Sequence, residues 1–188
     1  MAFALPDTEA WLLARSSARS RPKSRSVALR PFPHPKDWRK PQPIHARAET
    51  IEITQAFADA FLDGQRGIVL TRPFNGAPDA DGPTVQHTIT PNVEALGIAF
   101  VWRQFNVGAA MPLYAACMVT VPANKLIASL PTSRMPAVLA PEDWAIWLGE
   151  EAAGLDRIKA CLRTAEGVDW QMQKEEPQKP TVREPKGR

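Results

Sequence analysis

TSRMPAVLAPEDWAIWL, residues 132–148, carries the densest structural information in this chain of 188 residues. Its first half is short and β-prone: Ala137-Val138-Leu139 reads as a brief strand, with Met135 and Pro136 shaping the turn into it. Its second half changes period. Pro141 suits the first position of a helix, where its missing N–H is no loss. Glu142 and Asp143 then stand favourably against the positive end of the helix dipole. Trp144, Trp147 and Leu148 recur at i, i+3 and i+4 and predict one buried face.

Upstream, strands and short helices follow one another without a regular βαβ repeat. Thr54 is placed to cap a helix whose Phe57, Ala60 and Phe61 share one face and which Gly64 closes. Gly67 to Thr71 is short and β-branched and reads as a strand, and Asn75 to Pro83 is rich in turn residues. Thr84 to Thr90 is β-prone. Gly97 to Trp102 and Leu113 to Val121 are continuous apolar runs of strand length, the pattern of buried strands. Pro122-Ala123-Asn124 opens a short helical segment through Leu130, and a last helix spans about Leu155 to Leu162. This order predicts an α+β domain.

The ends differ in composition from this middle. The chain has nineteen prolines, with one group in Pro22 to Pro43 and another in Pro177 to Pro185. The division expected is an irregular basic Pro/Arg/Ser-rich arm over 1–43, an organised domain over 44–170 and a disordered polar tail over 171–188. Net charge is +3, but Arg15, Arg19, Arg21, Lys23, Arg25, Arg30, Lys36, Arg39, Lys40 and Arg47 face Asp37 as the one acid in their stretch. Such a run neutralises phosphates, with Trp38 able to stack on a base, or is a solvated tail.

Several classes of function lose support. No apolar run approaches the roughly 20 residues that span a bilayer. Asp7 and Glu9 sit where a signal peptide is basic. Two cysteines, Cys117 and Cys161, cannot build a disulfide framework, and a reducing, cytoplasmic setting is expected. His34, His45 and His87 are scattered, so no metal site is expected. No glycine-rich phosphate loop is present, and no cofactor is expected. Cys117 lies in an apolar strand and reads as core rather than nucleophile.

Two local strings remain: HARAET, His45 to Thr50, and RMPAVLAPEDW, Arg134 to Trp144, continuing to Trp147-Leu148. Between them lie Arg66-Gly67-Ile68-Val69 and Thr120-Val121-Pro122-Ala123-Asn124. In order and spacing, over residues 44 to 165, these resemble the SOS-response-associated peptidase, or abasic-site-processing, family. That family carries N-A-R-A-E-T, R-C-L-V-P-A-x-G-F-Y-E-W, T-x-x-A-N and H-D-R-M-P-V-I-L followed by W-L. The R-M-P to W-L string is the specific one. The resemblance implies a mixed β pseudo-barrel with short peripheral helices and a basic groove for single-stranded DNA. It also implies crosslinking to abasic sites through a cysteine exposed when the initiator methionine is removed. An open abasic sugar is an aldehyde, which an adjacent amine and thiol trap as a thiazolidine while a Glu and a His move protons.

Position by position, that chemistry is not carried over. Ala2 follows Met1 where the family has its cysteine, and His45 replaces the Asn of N-A-R-A-E-T. With Phe74 matched to the family Phe, the Glu position falls on Gly76. The His before R-M-P falls on Thr132, which cannot shuttle protons near neutral pH. The expectation is a single-stranded-DNA binder that has lost crosslinking. The alternatives are a residual abasic-site lyase through a Schiff base at the Ala2 amine, and a catalytically dead interaction module. Arg47 and Arg134 match family arginines that lie on the DNA backbone. For both, phosphate contact stands beside an internal ion pair, for instance Arg47 with Glu49 or Arg134 with Asp143. Residues 1–43 show neither M-C-G-R nor W-G-L, which fits either a replacement arm or a displaced reading frame. If that segment supplies no strands, apolar sheet edges are left open and stability is marginal.

Overall fold

The computed structural model describes residues 11–14, 32, 43–76, 85–105, 113–130 and 132–175. In chain order the strands are β1 (Trp11–Ala14), β2 (His45–Arg47), β3 (Arg66–Thr71), β4 (Phe74–Gly76), β5 (His87–Thr90), β6 (Leu96–Phe105), β7 (Leu113–Pro122), β8 (Arg134–Pro136), β9 (Val138–Leu139) and β10 (Gln171–Lys174). The helices are short: α1 (Ala58–Leu62), α2 (Lys125–Ala128), α3 (Trp144–Leu148) and α4 (Leu155–Ala160), with single 3-10 turns at Ala48–Thr50 and Pro141–Asp143. The main sheet runs β1-β3-β6-β7-β2, with β8 on β7 and β9 on β6, while β10-β5-β4 form a smaller sheet. Only β2 runs parallel to its neighbour, so the main sheet is mixed. It curls into a half-barrel with few helices, an α+β fold.

Residues 134–139 explain the curl. β6 and β7 pair from Phe105↔Leu113 to Phe100↔Met118 and then part. β8 pairs β7 beyond that point (Thr120↔Pro136, Pro122↔Arg134), and β9 pairs β6 (Gly97↔Leu139, Ile98↔Val138). Ala137, fully buried, sits in the fork: its N–H donates to Val119 O and its carbonyl accepts from Ala99 N, both at 2.9 Å. A hairpin splayed to admit a third segment has to bend out of plane, while its backbone groups stay paired. Met135 and Pro136 therefore belong to a strand rather than to a turn.

The helical half of the same stretch docks through Trp147. This side chain is fully buried, its Nε1 donates to Gly67 O at 2.9 Å, and its ring lies 6.1 Å from that of Phe61. Beneath it is Arg66, also buried. Its Nε donates to Trp147 O at 2.6 Å and its Nη1 to Phe61 O at 3.0 Å. The last carbonyls of a helix have no partner within the helix. One guanidinium satisfies such carbonyls on α3 and α1 together, 5.8 Å from the centre of each aromatic ring. Gly64 and Gly149 end these helices in the left-handed region, at φ of 74° and 73°, beside Arg66 Nη2.

Both faces of the main sheet are apolar, which is why β6 and β7 read as continuous runs. Ile68, Ala99, Val101, Ala115, Cys117, Val119 and Val121 face the main core with Phe57, Phe61 and Ile146. Val69, Ile98, Phe100, Ala116 and Met118 form a second buried cluster on the other side. Trp102 is a half-buried member of its rim, its ring 6.3 Å from Tyr114 and its Nε1 donating to Arg66 O at 3.3 Å.

Four expectations need correction. The 1–43 arm is not irregular throughout, since Trp11–Ala14 pairs antiparallel with β3 (Trp11↔Leu70, Ala14↔Gly67) and covers that edge. Phe32 is buried against Phe57, with ring centres 5.7 Å apart; the rest of the arm lies outside the described residues. The tail starts as a strand: β10 pairs with β5, which anchors Gln171–Lys174, and residues 176–188 lie outside the description. Phe74–Gly76 is a strand rather than the start of a loop, drawn out by pairing with β5 (Asn75↔Thr88), while Ala77 to Thr84 are not described. Thr54 does not cap α1, because its hydroxyl bonds back to Thr50 O at 2.7 Å, a local bond that competes with capping. Asn124 does cap α2, accepting from Ile127 N at 2.9 Å. Among the described residues no helix is long and apolar enough to cross a membrane.

Candidate nucleic-acid interface

The two motif strings meet in space. β2 lies parallel to β7 (His45↔Met118, Arg47↔Thr120), and Arg134 opens β8 opposite Pro122 on the same strand. Arg134 reaches back across 85 residues of sequence to Glu49, Nη1 to Oε1 at 2.5 Å and Nη2 to Oε2 at 2.9 Å. Its Nη2 also donates to Thr120 O at 2.5 Å and to Thr120 Oγ1 at 3.3 Å. The fork geometry of a guanidinium matches a carboxylate bidentately, and this pairing ties β2, β7 and β8 at one rim. The Arg134 side chain is 15% exposed and that of Glu49 46%. The bond from Arg134 holds the Glu49 carboxyl below the usual carboxylate range.

Neither ion pair weighed from sequence forms. Arg134 takes Glu49, and buried Asp143 takes Arg163 from beyond α4. Arg47 is left exposed at the end of β2, with no ion pair among the described residues. His45, at the start of the same strand, is half-buried, and burial lowers its pKa. That favours the neutral ring, a polar residue at an edge.

The remaining candidate positions lie elsewhere. Gly76 is buried in β4, opposite His87. Thr132 is buried just before β8, next to Ser133, whose carbonyl accepts from Ala123 N at 3.0 Å. Asn124 links this end to the C-terminal segment, donating to Ala165 O at 2.9 Å, and Trp170 packs edge-on to Phe74 at 5.7 Å. Ala2 lies outside the described residues. Cys117 is fully buried; its thiol donates to Pro43 O at 3.1 Å, and burial pushes its pKa up to about 12. Burial raises the pKa of Cys161 as well. Among the described residues no group of three or more His, Cys, Asp or Glu side chains is placed to hold a metal.

A model of the family described as SOS response associated peptidase (SRAP) matches residues 4–177. The chain belongs to the SOS response associated peptidase family. No protein of curated function matches it. A protein from Bordetella bronchiseptica shares the fold at a TM-score of 0.72 and 18% identity, over 89% of this chain and 83% of that one. A phage-related protein from the same organism gives 0.64 and 18%, over 89% and 78%. A protein from Bacteroides thetaiotaomicron gives 0.62 and 19%, over 69% of this chain and 57% of that one. This chain therefore spans little more than half the length of the Bacteroides protein. The SRAP match begins at residue 4, so the family's extent includes β1 and most of the basic arm.

Sequence reading missed three residues of the SRAP architecture. Glu49 stood in a quoted string, but its partner is remote in sequence. Arg66 stood in another, and its burial beneath Trp147 left no sequence mark. Trp170 and β10 fell in a stretch read as the approach to a tail.

Proposed function

We propose that this SRAP-family chain binds single-stranded DNA along the rim where β2 and β8 flank β7, without thiol-dependent crosslinking. The observation that carries the reading is Arg47, an exposed guanidinium with no ion pair among the described residues, beside the Glu49–Arg134 pair. Guanidinium groups suit phosphate oxygens, and unpaired ones have the least to lose on binding them. Arg134 is the second contact: a phosphate arriving there competes with Glu49 for the same fork. Ten cations between Arg15 and Arg47 supply further counter-charge in sequence.

Loss of crosslinking is supported by side-chain chemistry. Gly76 and Thr132 offer no proton-transfer group, and both cysteines of the chain are buried with raised thiol pKa values. Two free, buried thiols also suit a reducing, cytoplasmic setting.

Anisotropy with a labelled single-stranded oligonucleotide tests the reading. Affinity should fall steeply with added salt, and Arg47→Ala should weaken binding and reduce the salt slope by about one. Binding that is absent at low ionic strength rejects the proposal. A heat-stable adduct formed with an abasic oligonucleotide without any reductant rejects the loss of crosslinking.

A further inference from the structure

Beyond α4 the chain crosses from one sheet to the other with little of it buried. Cys161 and Leu162 are in the core, but none of residues 163–175 is fully buried, and Val168 is 74% exposed. At its start the Thr164 hydroxyl donates to Pro122 O at 3.0 Å, and Ala165 O accepts from Asn124 Nδ2 at 2.9 Å, both at the end of β7. A turn follows, closed by Trp170 N donating to Gly167 O at 3.2 Å, with Gly167 and Asp169 at φ of 67° and 62°. Trp170 then packs edge-on to Phe74 of β4, and β10 pairs with β5. Just past β10, Glu175 N donates to Gln86 O at 2.9 Å, and Thr88 Oγ1 donates to Glu175 Oε1 at 2.6 Å.

Asn124 holds the first anchor with both ends of its amide. Its Oδ1 accepts from Ile127 N at 2.9 Å and caps α2, so Nδ2 is the end left to donate to Ala165 O. An Asp caps a helix as well as an Asn does, but it would set a second oxygen against the Ala165 carbonyl. The turn is fitted to this amide: a Cβ on Gly167 would collide with Asn124 Nδ2 and lie 3.0 Å from Trp170 Cε3. Asn124 itself is buried, beneath a segment that buries little of its own surface. Segments with few buried apolar contacts open locally at a fraction of the free energy of global unfolding.

We infer that residues 163–175 form a strap that opens as one unit, with Asn124 as its catch. Only Ala165, Trp170 and Met172 of the strap pack against the main core, each of them partly buried. Asp169, in the left-handed region that residues other than glycine rarely adopt, adds a small cost to the closed form. Opening frees the Asn124 amide and the Pro122 carbonyl at the end of the sheet where Arg134 stands opposite Pro122. It also takes Trp170 off the ring of Phe74. The strap thereby controls what that end of the sheet presents, whether or not the rim binds DNA.

Amide hydrogen exchange of the full chain, read residue by residue by NMR, tests this. The amides of Trp170, β10 and Glu175 should exchange faster than those of β6 and β7. Asn124→Asp keeps the cap and loses the catch. It should speed exchange of Trp170 and Glu175 alike, at least about fivefold, as for the loss of one hydrogen bond, while the Ile127 amide keeps its protection. Asn124→Ala should expose the Ile127 amide as well. Trp170→Leu, at the other anchor, should speed the same strap amides at least about threefold, and it serves as the test where Asn124→Asp fails to fold. Acceleration that stops short of β10 and Glu175 means separate fraying and overturns the inference. So do strap amides as slow as those of β6 and β7, or an Asp variant that matches the parent throughout.

Discussion

Two arginines define two regions of this molecule. Arg66, at the corner where α1, β3 and α3 converge, is buried and donates to the carbonyls of Trp147 and Phe61. Arg134, at the rim, binds a half-exposed carboxylate. The corner uses a cation with no carboxylate paired to it among the described residues, because the helix-end carbonyls have lost water and need donors. The rim uses one against an anion that water still reaches. The same side chain satisfies buried carbonyls in one place and pairs with a water-exposed carboxylate in the other, and burial of its partner makes the difference.

The largest effect is expected at the corner. Arg66→Met leaves Trp147 O without this donor and Phe61 O with only backbone donors such as Gly64 N, and should cost about 3 kcal/mol, since hydrogen bonds to charged groups contribute roughly 1.5–3 kcal/mol each. Urea unfolding measures it; a midpoint unchanged from the parent breaks the contrast between the two regions. Gly97→Ala sharpens it further. A Cβ there would lie 2.8 Å from Trp144 Cζ2 and 3.0 Å from Ile68 Cγ2, and overpacking of this kind costs about 1–3 kcal/mol. A variant as stable as the parent would show that α3 sits more loosely on β6 than the packing requires.

At the rim the effect should be smallest. Glu49→Gln should cost under about 1 kcal/mol, because a pair with a 46%-exposed carboxylate is screened by water. Its sign with pH follows from the lowered pKa of Glu49. The pair stabilises the fold above the unfolded pKa, about 4.3, and that contribution is lost as pH falls through the lower folded value. The difference between parent and variant should therefore shrink below about pH 4, and a difference that grows there contradicts the pairing. Glu49→Gln should also tighten DNA binding if phosphate competes for Arg134, where the corner variants should not.

Legibility followed the range of the interaction. The apolar runs of β6 and β7, the face of Trp144 and Trp147, and Gly64 closing α1 were all written locally. β1 and β10 were not, because an edge strand is made by backbone bonds to a partner, here Leu70 for Trp11 and Ile89 for Met172. QMQK has no apolar alternation to announce it. The position of Gly76 relative to His87 was equally hidden, since only register sets it.

Sequence alone determined the family strings and the α+β class, because residue identity and short-range periodicity are properties of the chain itself. Tertiary structure decided how Arg134 to Leu139 wedges open the β6–β7 hairpin and which carboxylate Arg134 holds. The reason is physical. A guanidinium near several acids pairs with the one its backbone brings within reach, and the fork that brings Glu49 there is closed by hydrogen bonds of Ala137 to two strands more than 15 residues away in sequence.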